Sequence, residues 1–226
     1  MPKKTLKPLK LETPDKFTDF LHVLWDEIYW ACFYYDMFKE AGRLCKCHEK
    51  VAKVSPYFWH FTLRAYFDAT LIRVHRIYDQ NKDSFNLHRF LLTVRANKGA
   101  FDPAEVRKRR KADPHADYLI RAIGQLDLVQ LDRDIEFSGE ANPKVANLKT
   151  WRDRVTFHKD DGELFRKRPF EDDYPLPFSD IDLLLSEAYQ MLNRYSQYFS
   201  TTKYSLGFQE WKDMKFVFEA CERGYQ

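Results

Sequence analysis

Apolar residues recur at spacings of three and four along most of the chain, which is the pattern of amphipathic helices. A first long helix is expected to begin at Thr13-Pro14 and to continue toward Val54. A second is expected from Pro56 to Tyr78. Because it is apolar on most of its circumference, we expect it in the centre of a bundle. Arg64 and Asp68 must then be paired or face a cleft, and an ion pair in the core is the favoured explanation.

Polar breaks and capping residues divide the remainder into further helices. Asn86 and Asp102-Pro103 begin two short helices, and a third long helix is expected from Ala116 to about Phe137. Asn142 is a candidate cap for a helix that runs to His158, and Ser179-Asp180 begins another. No segment alternates in the manner of a β-strand, so the sequence predicts an all-α fold.

Composition supports a packed helical protein. The chain has 226 residues, of which 44% are hydrophobic, 16% aromatic and only 7 are glycine. This content is ample for a core, and the scarcity of glycine argues against a turn-rich β fold. We expect residues 1–13 to be a mobile basic tail and residues 14–226 to form a single helical-bundle domain.

Charge and cysteine content exclude several classes of protein. The net charge of +3 is nearly balanced, so binding to nucleic acid would require local clusters of basic residues. Two such clusters are residues 107–111 and Arg166-Lys167-Arg168. Each of them is equally typical of a solvated protein surface. Cys45, Cys47 and His48 resemble half a zinc site, but no second ligand pair follows, so we expect no metal and no cofactor. No apolar run reaches the ~20 residues of a membrane span, and we expect a cytoplasmic protein with reduced thiols.

The strongest chemical candidate lies in the stretch 148–162, which joins an apolar helix to a charged loop. It contains Arg152, Asp153 and His158. An imidazole exchanges protons near neutral pH, and a guanidinium holds phosphate. On one helix Arg152 and His158 lie roughly 120° apart and roughly 9 Å apart along the axis. The apolar stripe between them therefore predicts a groove shared with a two-fold partner.

Two other places in the chain have similar spacing of arginine and histidine. They are Arg43 with His48, and Arg109 or Arg110 with His115. The spacing alone is therefore weak, and Arg152, Asp153 and His158 also fit ordinary polar groups at a helix end. Of these candidates, Arg152 is followed directly by an acid, preceded by an apolar stripe and followed by a polar loop.

The segment 152–160, Arg-Asp-Arg-Val-Thr-Phe-His-Lys-Asp, resembles the motif of the HEPN superfamily of helical bundles, in which arginine precedes histidine by a few residues. The closer resemblance is to the AbiU-type branch, named after phage abortive infection. The segment 76–91 also looks like this family. The resemblance implies an antiparallel helical bundle of HEPN type, here with additional helices.

The resemblance further implies a metal-independent endoribonuclease that cleaves RNA at a dimer groove, in phage defence or as a toxin. His158 would be the acid and base, Arg152 would hold the scissile phosphate, and Asp153 would orient the site. The expected RNA-binding residues are Arg154, Lys159, Arg166, Lys167 and Arg168. The expected partners are RNA, a second copy of the chain and an antitoxin, with no membrane.

A second reading is a helical module without catalytic activity that binds RNA, a nucleotide or a protein partner through the same groove. Many members of the resembled family lack nuclease activity, so the motif is compatible with both readings. A zinc-dependent protein that uses Cys45, Cys47 and His48 is a third. Cleavage of RNA that requires Arg152 and His158 separates the first reading from the others.

Overall fold

The computed structural model describes residues 6–9, 11, 13–81, 84–151, 176–208 and 211–224. Its helices are α1 (Pro14–Cys47), α2 (Glu49–Val54), α3 (Pro56–Tyr78), α4 (Leu87–Ala96), a 3-10 helix (Lys98–Phe101), α5 (Pro103–Arg109), α6 (Ala116–Ile123), α7 (Leu128–Ser138), α8 (Pro143–Trp151), α9 (Phe178–Ser200) and α10 (Trp211–Gly224). These elements confirm the predicted all-α fold, and the described residues form no strand.

The chain divides into two compact units. One consists of Met1–Ile28 and Val74–Tyr204, and the other of Tyr29–Arg73 and Ser205–Gln226. We call them the larger and the smaller unit. The single domain expected over residues 14–226 and the mobility expected of residues 1–13 stay predictions. Residues 6–9 lie beside α4, where the Leu9 backbone N–H donates to Thr93 Oγ1 at 3.0 Å.

Aromatic rings form the centre of the larger unit. Phe17 of α1 packs on Phe90, Phe101 and Phe199, with ring centroids 5.3, 5.2 and 4.4 Å away. All four rings are buried. Each buried aromatic side chain removes a large apolar area from water, so this cluster holds α1, α4, the 3-10 helix and α9 together.

The smaller unit has a separate core around a stacked aromatic pair. Trp59 of α3 and Phe218 of α10 lie with ring centroids 4.2 Å apart, and Leu44 and Val51 complete the cluster. The first helix is interrupted beside this core instead of continuing to Val54. The turn falls at His48, whose Nδ1 lies 2.8 Å from Glu222 Oε2.

The prediction of one long helix from Ala116 to Phe137 is wrong, because two helices occupy this range. Gly124 ends α6 with a φ of +77°, a conformation that glycine adopts without strain. Asp127 then caps α7, since its Oδ1 accepts from the backbone N–H groups of Val129 and Gln130 at 2.9 and 3.0 Å. The apolar period continues across the break, which is why periodicity alone missed it.

The second predicted helix is confirmed as α3, but its expected position in the centre of a bundle is wrong for the first 14 residues. Between residues 56 and 69, all of which the structure describes, only Trp59 is buried. Arg64 Nε and Asp68 Oδ2 do pair, at 2.9 Å, but their side chains are 58% and 40% exposed. The pair is therefore a surface ion pair and not a core one.

A buried carboxylate joins α7 to α9 in the larger unit. Asp134 Oδ2 accepts from the Tyr195 hydroxyl at 2.6 Å and also from Arg194 Nη1, while Gln130 Nε2 donates to Oδ1 at 2.8 Å. Burial, followed by the neighbouring Asp134 carboxylate, raises the pKa of Tyr195, which keeps its hydroxyl protonated as a donor. Both oxygens of the Asp134 carboxylate thus accept hydrogen bonds that hold α7 and α9 together.

We expect Asp134→Ala to lower the free energy of unfolding by about 3 kcal/mol, because it leaves Arg194 and Tyr195 without their buried acceptor. Urea denaturation of the purified protein measures this. The matched control is Asp132→Ala on the same helix. Asp132 pairs with Arg95 at an exposed position, so about 0.5 kcal/mol or less is expected. Equal losses for the two variants would contradict the structural role of Asp134.

Candidate functional site

The residues predicted for catalysis lie outside the described residues. This applies to Arg152, Asp153 and His158. It also applies to the expected RNA-binding residues Arg154, Lys159, Arg166, Lys167 and Arg168. The description reaches Trp151, the residue directly before Arg152. The described element next to these residues in the chain is α8.

The local sequence explains why α8 begins where it does. Asn142 Oδ1 accepts from the Lys144 backbone N–H at 3.0 Å, as predicted for the cap, and Pro143 occupies the first helical position. Val145 and Leu148 are buried within their own chain. The predicted apolar stripe consists of Leu148, Trp151 and Val155. Leu148 is thus covered by its own chain, Val155 lies outside the described residues, and the groove shared with a two-fold partner stays a prediction.

A histidine on α3 holds α8 in place. His75 Nε2 lies 2.6 Å from the backbone carbonyl oxygen of Leu148, and the contact is buried. A carbonyl oxygen only accepts, so Nε2 carries the proton and donates it. This bond fixes the backbone of α8 one turn before Arg152. The sequence alone gave no reason to single out His75, which lies on an apolar helix face.

The segment 76–91, which resembles the HEPN family, lies in the larger unit. Tyr78, at the end of α3, donates its hydroxyl to the Leu184 carbonyl oxygen at 2.7 Å. Gln80 Nε2 donates to the Ser138 carbonyl oxygen at 3.0 Å. His75, Tyr78 and Gln80 also line a small cavity with Val145 and Leu148 of α8. Tyr78 and Gln80 of the segment 76–91 therefore lie beside α8, the helix that precedes the predicted catalytic residues in the chain.

A groove of about 690 Å³ lies next to this cavity and shares Gln80 and Lys149 with it. Five of its ten lining residues are polar or charged. The polar members are Gln80, His88, Glu136, Glu140 and Lys149. Lys149 Nζ pairs with Glu140 Oε1 at 2.8 Å.

His88 is one of the titratable residues that line this groove. Burial lowers the pKa of the His88 imidazole, against the smaller opposing effects of the Ile135 carbonyl and Glu140. Its Nδ1 lies 2.9 Å from Ser138 Oγ, and Ser138 donates its own hydroxyl to Ile135 at 3.1 Å. Because the Ser138 hydroxyl donates to Ile135, Nδ1 is the donor in the contact of His88 with Ser138. Our sequence reasoning missed His88, although it lies in the segment 76–91.

The first alternative pair of arginine and histidine is occupied by structural partners in the smaller unit. Arg43 makes a double contact with Glu40, with Nε at 2.8 Å and Nη2 at 2.6 Å from the two carboxylate oxygens. That hydrogen bond lowers the pKa of Glu40, so the pair stays charged. His48 contacts Glu222. Neither side chain is left to bind a phosphate without losing an existing contact.

In the second alternative set, Arg109 and Arg110 are also engaged in contacts within the fold. Arg109 Nη2 donates to the backbone carbonyl oxygens of Ala100 and Phe199, at 2.6 and 2.8 Å. Its guanidinium also lies 4.2 Å from the centroid of the Phe199 ring. Arg110 pairs with Asp113 at 2.6 Å. Arg109 thus joins the 3-10 helix to the end of α9 and serves the fold.

Carboxylates also neutralise much of the basic run 107–111. Arg107 Nε lies 2.6 Å from Asp117 Oδ1, and Lys108 Nζ lies 2.6 Å from Glu105 Oε1. Four of the five basic side chains in this run therefore have acidic or carbonyl partners. This arrangement favours the reading of a solvated surface over that of a strong phosphate-binding cluster.

The remaining expectations concern metals and membranes. Within the described part of the chain, no group of three histidine, cysteine or acidic side chains is placed to hold a metal ion. The cysteines are free thiols, and burial raises the pKa of Cys45. Among the described helices, none combines the length and the hydropathy needed to cross a bilayer.

Comparison with known proteins gives one match. The family model HEPN_AbiU2, described as AbiU2, matches residues 14–214. This range includes Arg152, Asp153 and His158 and most of the described helices. No curated protein and no solved structure matches the chain.

We expect His75→Ala to lower the free energy of unfolding by about 2 kcal/mol and to speed amide hydrogen exchange in α8, because the buried Leu148 carbonyl loses its donor. Hydrogen exchange followed by mass spectrometry measures both the loss of stability and the faster exchange in α8. His60→Ala is the control, since His60 is an exposed histidine on the same helix. Unchanged exchange in α8 for His75→Ala would contradict the anchoring role.

Arg109→Ala is expected to lower the free energy of unfolding by about 2 kcal/mol, because two backbone carbonyl groups lose a charged donor. Arg107→Ala is its control. The exposed ion pair of Arg107 with Asp117 should contribute about 0.5 kcal/mol or less. Thermal or urea unfolding compares the two, and a larger loss for Arg107→Ala would show that the stabilising contact was misidentified.

Proposed function

The chain belongs to the HEPN_AbiU2 family, and from this premise we propose that it is a metal-independent endoribonuclease that acts in phage defence or as a toxin. The observation that carries the proposal is the family match, which spans residues 14–214 and includes the Arg152-to-His158 motif. The expected partners are RNA, a second copy of the chain and an antitoxin, in the cytoplasm.

The structural partners of the competing pairs support the choice of Arg152 and His158. Arg43 is held by Glu40, Arg110 by Asp113, and Arg109 by two carbonyl groups and an aromatic ring. A guanidinium that stabilises a transferring phosphate needs donors aimed at that phosphate. In the two alternative sets, the arginine N–H groups already donate to groups of the protein itself.

The proposed reaction is an internal transfer at phosphorus. The 2′-oxygen of a ribose forms a bond to the adjacent phosphorus, and the bond from phosphorus to the 5′-oxygen breaks. His158 acts as the acid and base, which removes a proton at the 2′-oxygen and supplies one at the 5′-oxygen. The products are a 2′,3′-cyclic phosphate and a 5′-hydroxyl, and the reaction needs no metal ion.

Arg152 is proposed to hold the scissile phosphate and to stabilise the charge that develops on its oxygens. Asp153 is proposed to orient the site. Arg154, Lys159, Arg166, Lys167 and Arg168 are proposed to contact the RNA backbone, where each neutralised phosphate contributes to a salt-dependent affinity.

The anchored helix α8 is consistent with this chemistry. Catalysis by positioned groups is sensitive to displacements of about 1 Å, so the elements next to such groups must be rigid. The His75 bond to Leu148, the buried Val145 and the Asn142 cap make α8 such an element.

Incubation of the purified protein with labelled RNA in EDTA tests the proposal. We expect cleavage to a 2′,3′-cyclic phosphate, with the rate reduced at least about 100-fold in both His158→Ala and Arg152→Ala, because each removes a group that acts in the transition state. Arg43→Ala and His115→Ala are matched controls from the alternative pairs, and both should retain the wild-type rate.

Two results would contradict the proposal. One is RNA binding, steeply weakened by salt, without cleavage under any condition, which is the behaviour of a binding module. The other is cleavage that EDTA abolishes or that survives His158→Ala. Loss of cleavage in Arg43→Ala or His115→Ala would instead move the site to one of the alternative pairs.

A further inference from the structure

Exposed aromatic rings cover the outer side of the first half of α3, in the smaller unit. Tyr57, Phe58 and Phe61 are 78%, 60% and 65% exposed, and His60 is exposed beside them. On a helix of 3.6 residues per turn, these four side chains fall within roughly 160° of the circumference. We call Tyr57, Phe58, His60 and Phe61 the α3 aromatic face.

The side of α3 that packs in the smaller unit is a different one. Trp59 is buried and stacks on Phe218, with ring centroids 4.2 Å apart. Farther along the helix, the Phe67 ring lies 5.2 Å from the Phe38 ring of α1. These inner contacts hold the helix, so the rings of the α3 aromatic face are available to a ligand.

The exposed apolar area is large enough to indicate a binding surface. A fully exposed aromatic side chain offers roughly 200 Å², so the exposed parts of Tyr57, Phe58 and Phe61 amount to roughly 400 Å². Neighbouring apolar side chains that expose an area of this size mark an interaction site on most soluble proteins.

We propose that the α3 aromatic face binds unpaired bases of single-stranded RNA by stacking. The proposal rests on the proposed function for RNA as the ligand, and it adds a contact site that is remote in the chain from Arg152 and His158. Every base has a flat π-face, so an exposed aromatic ring stacks on it whatever the sequence. Bases in a duplex already stack on each other, so the face should select single strands.

The composition of the face favours bases as its ligand. The structure describes all of α3, and the large apolar side chains exposed on it are the three aromatic ones, with no exposed aliphatic side chain of similar size. Rings in this setting stack on other planar rings, which a single strand supplies one after another. The Tyr57 hydroxyl and the His60 imidazole add groups that can hydrogen-bond to base edges or to a 2′-hydroxyl.

The charge around the face complements a phosphate backbone. Between residues 46 and 68, four cationic side chains outnumber two acidic ones, which leaves +2 of the chain's net charge of +3 in this segment. The cations are Lys46, Lys50, Lys53 and Arg64, and the acids are Glu49 and Asp68.

These cations are expected to contribute less affinity than the rings. Lys53 pairs with Glu49 at 2.8 Å and Arg64 with Asp68 at 2.9 Å. Both pairs lie at exposed positions, where such contacts contribute little to stability and exchange readily with other partners. The cations can therefore turn to phosphates, but most of the binding is assigned to stacking.

Fluorescence anisotropy of the full chain with a labelled, 2′-O-methylated single strand of about 12 nucleotides tests the proposal. The methyl groups block the proposed nucleophile, so the strand is not consumed. We expect Tyr57→Ala/Phe61→Ala to raise the Kd at least about 25-fold, because each ring lost removes one stacked base. The loss should be equal at low and at high salt, since stacking is not screened as a phosphate contact is.

Two variants of one residue separate stacking from general apolar contact. Phe61→Tyr keeps the ring, so its Kd should stay within about twofold, whereas Phe61→Leu keeps an apolar side chain without the ring and should raise the Kd at least about fivefold. Phe216→Ala is the matched control. Phe216 is 62% exposed on α10 of the same unit but lies outside the face, and its loss should change the Kd less than about twofold.

The same strand annealed to its complement provides a second comparison. We expect the duplex to bind at least about 10-fold more weakly than the single strand and to be insensitive to Tyr57→Ala/Phe61→Ala. An unchanged urea midpoint for this double variant shows that the fold is intact, as expected for side chains outside the core.

Several results would overturn the proposal. They are a wild type that does not bind the single strand, a double variant that binds it normally, and a Phe61→Leu variant that binds as Phe61→Tyr does. A double variant that keeps its affinity for RNA but sediments differently, or loses a bound protein, would assign the face to a protein partner instead.

Cleavage of unmodified RNA separates this proposal from the proposed function. With an active nuclease, Tyr57→Ala/Phe61→Ala should raise the KM and leave kcat unchanged, because the rings contribute binding alone. Binding that depends on the rings, in a protein that never cleaves RNA, would remove the nuclease and keep the stacking site. Cleavage with binding that is independent of the rings would do the reverse.

Discussion

The hydrogen bond from His75 to the Leu148 carbonyl oxygen connects α3 to α8, the helix that precedes the proposed catalytic residues in the chain. It joins the end of α3, where the segment 76–91 begins, to α8, which leads directly to Arg152. The bond is buried, so breaking it would leave a carbonyl without a donor away from water. The Asn142 cap and the buried Val145 hold the same helix from its other end.

The same packing covers apolar side chains of α8 with the chain itself. Leu148, which belongs to the stripe expected to be shared with a two-fold partner, is buried inside the larger unit together with Val145. On the first half of α3, in the smaller unit, the apolar side chains of Tyr57, Phe58 and Phe61 are instead exposed. Helix periodicity cannot tell these cases apart, since a stripe facing the core and a stripe facing another chain have the same spacing.

Sequence reasoning predicted the all-α fold and most helix starts, because Asn86, Asp102-Pro103 and Asn142 act locally as caps. It missed the break at Gly124, where the apolar period continues on both sides. It also placed Arg64 and Asp68 in the core, because composition shows that a helix is apolar but not which neighbours cover it. His75 and His88 were missed since their roles come from contacts with Leu148 and Ser138, 73 and 50 residues away.

The most direct test of the nuclease compares two RNA strands of one sequence, one unmodified and one with every 2′-hydroxyl methylated, incubated with the protein in EDTA. The 2′-oxygen is the proposed nucleophile, so we predict that the unmodified strand is cleaved by the wild type and not by His158→Ala, and that the methylated strand stays intact. Cleavage of the methylated strand, or no cleavage of either, would contradict the account.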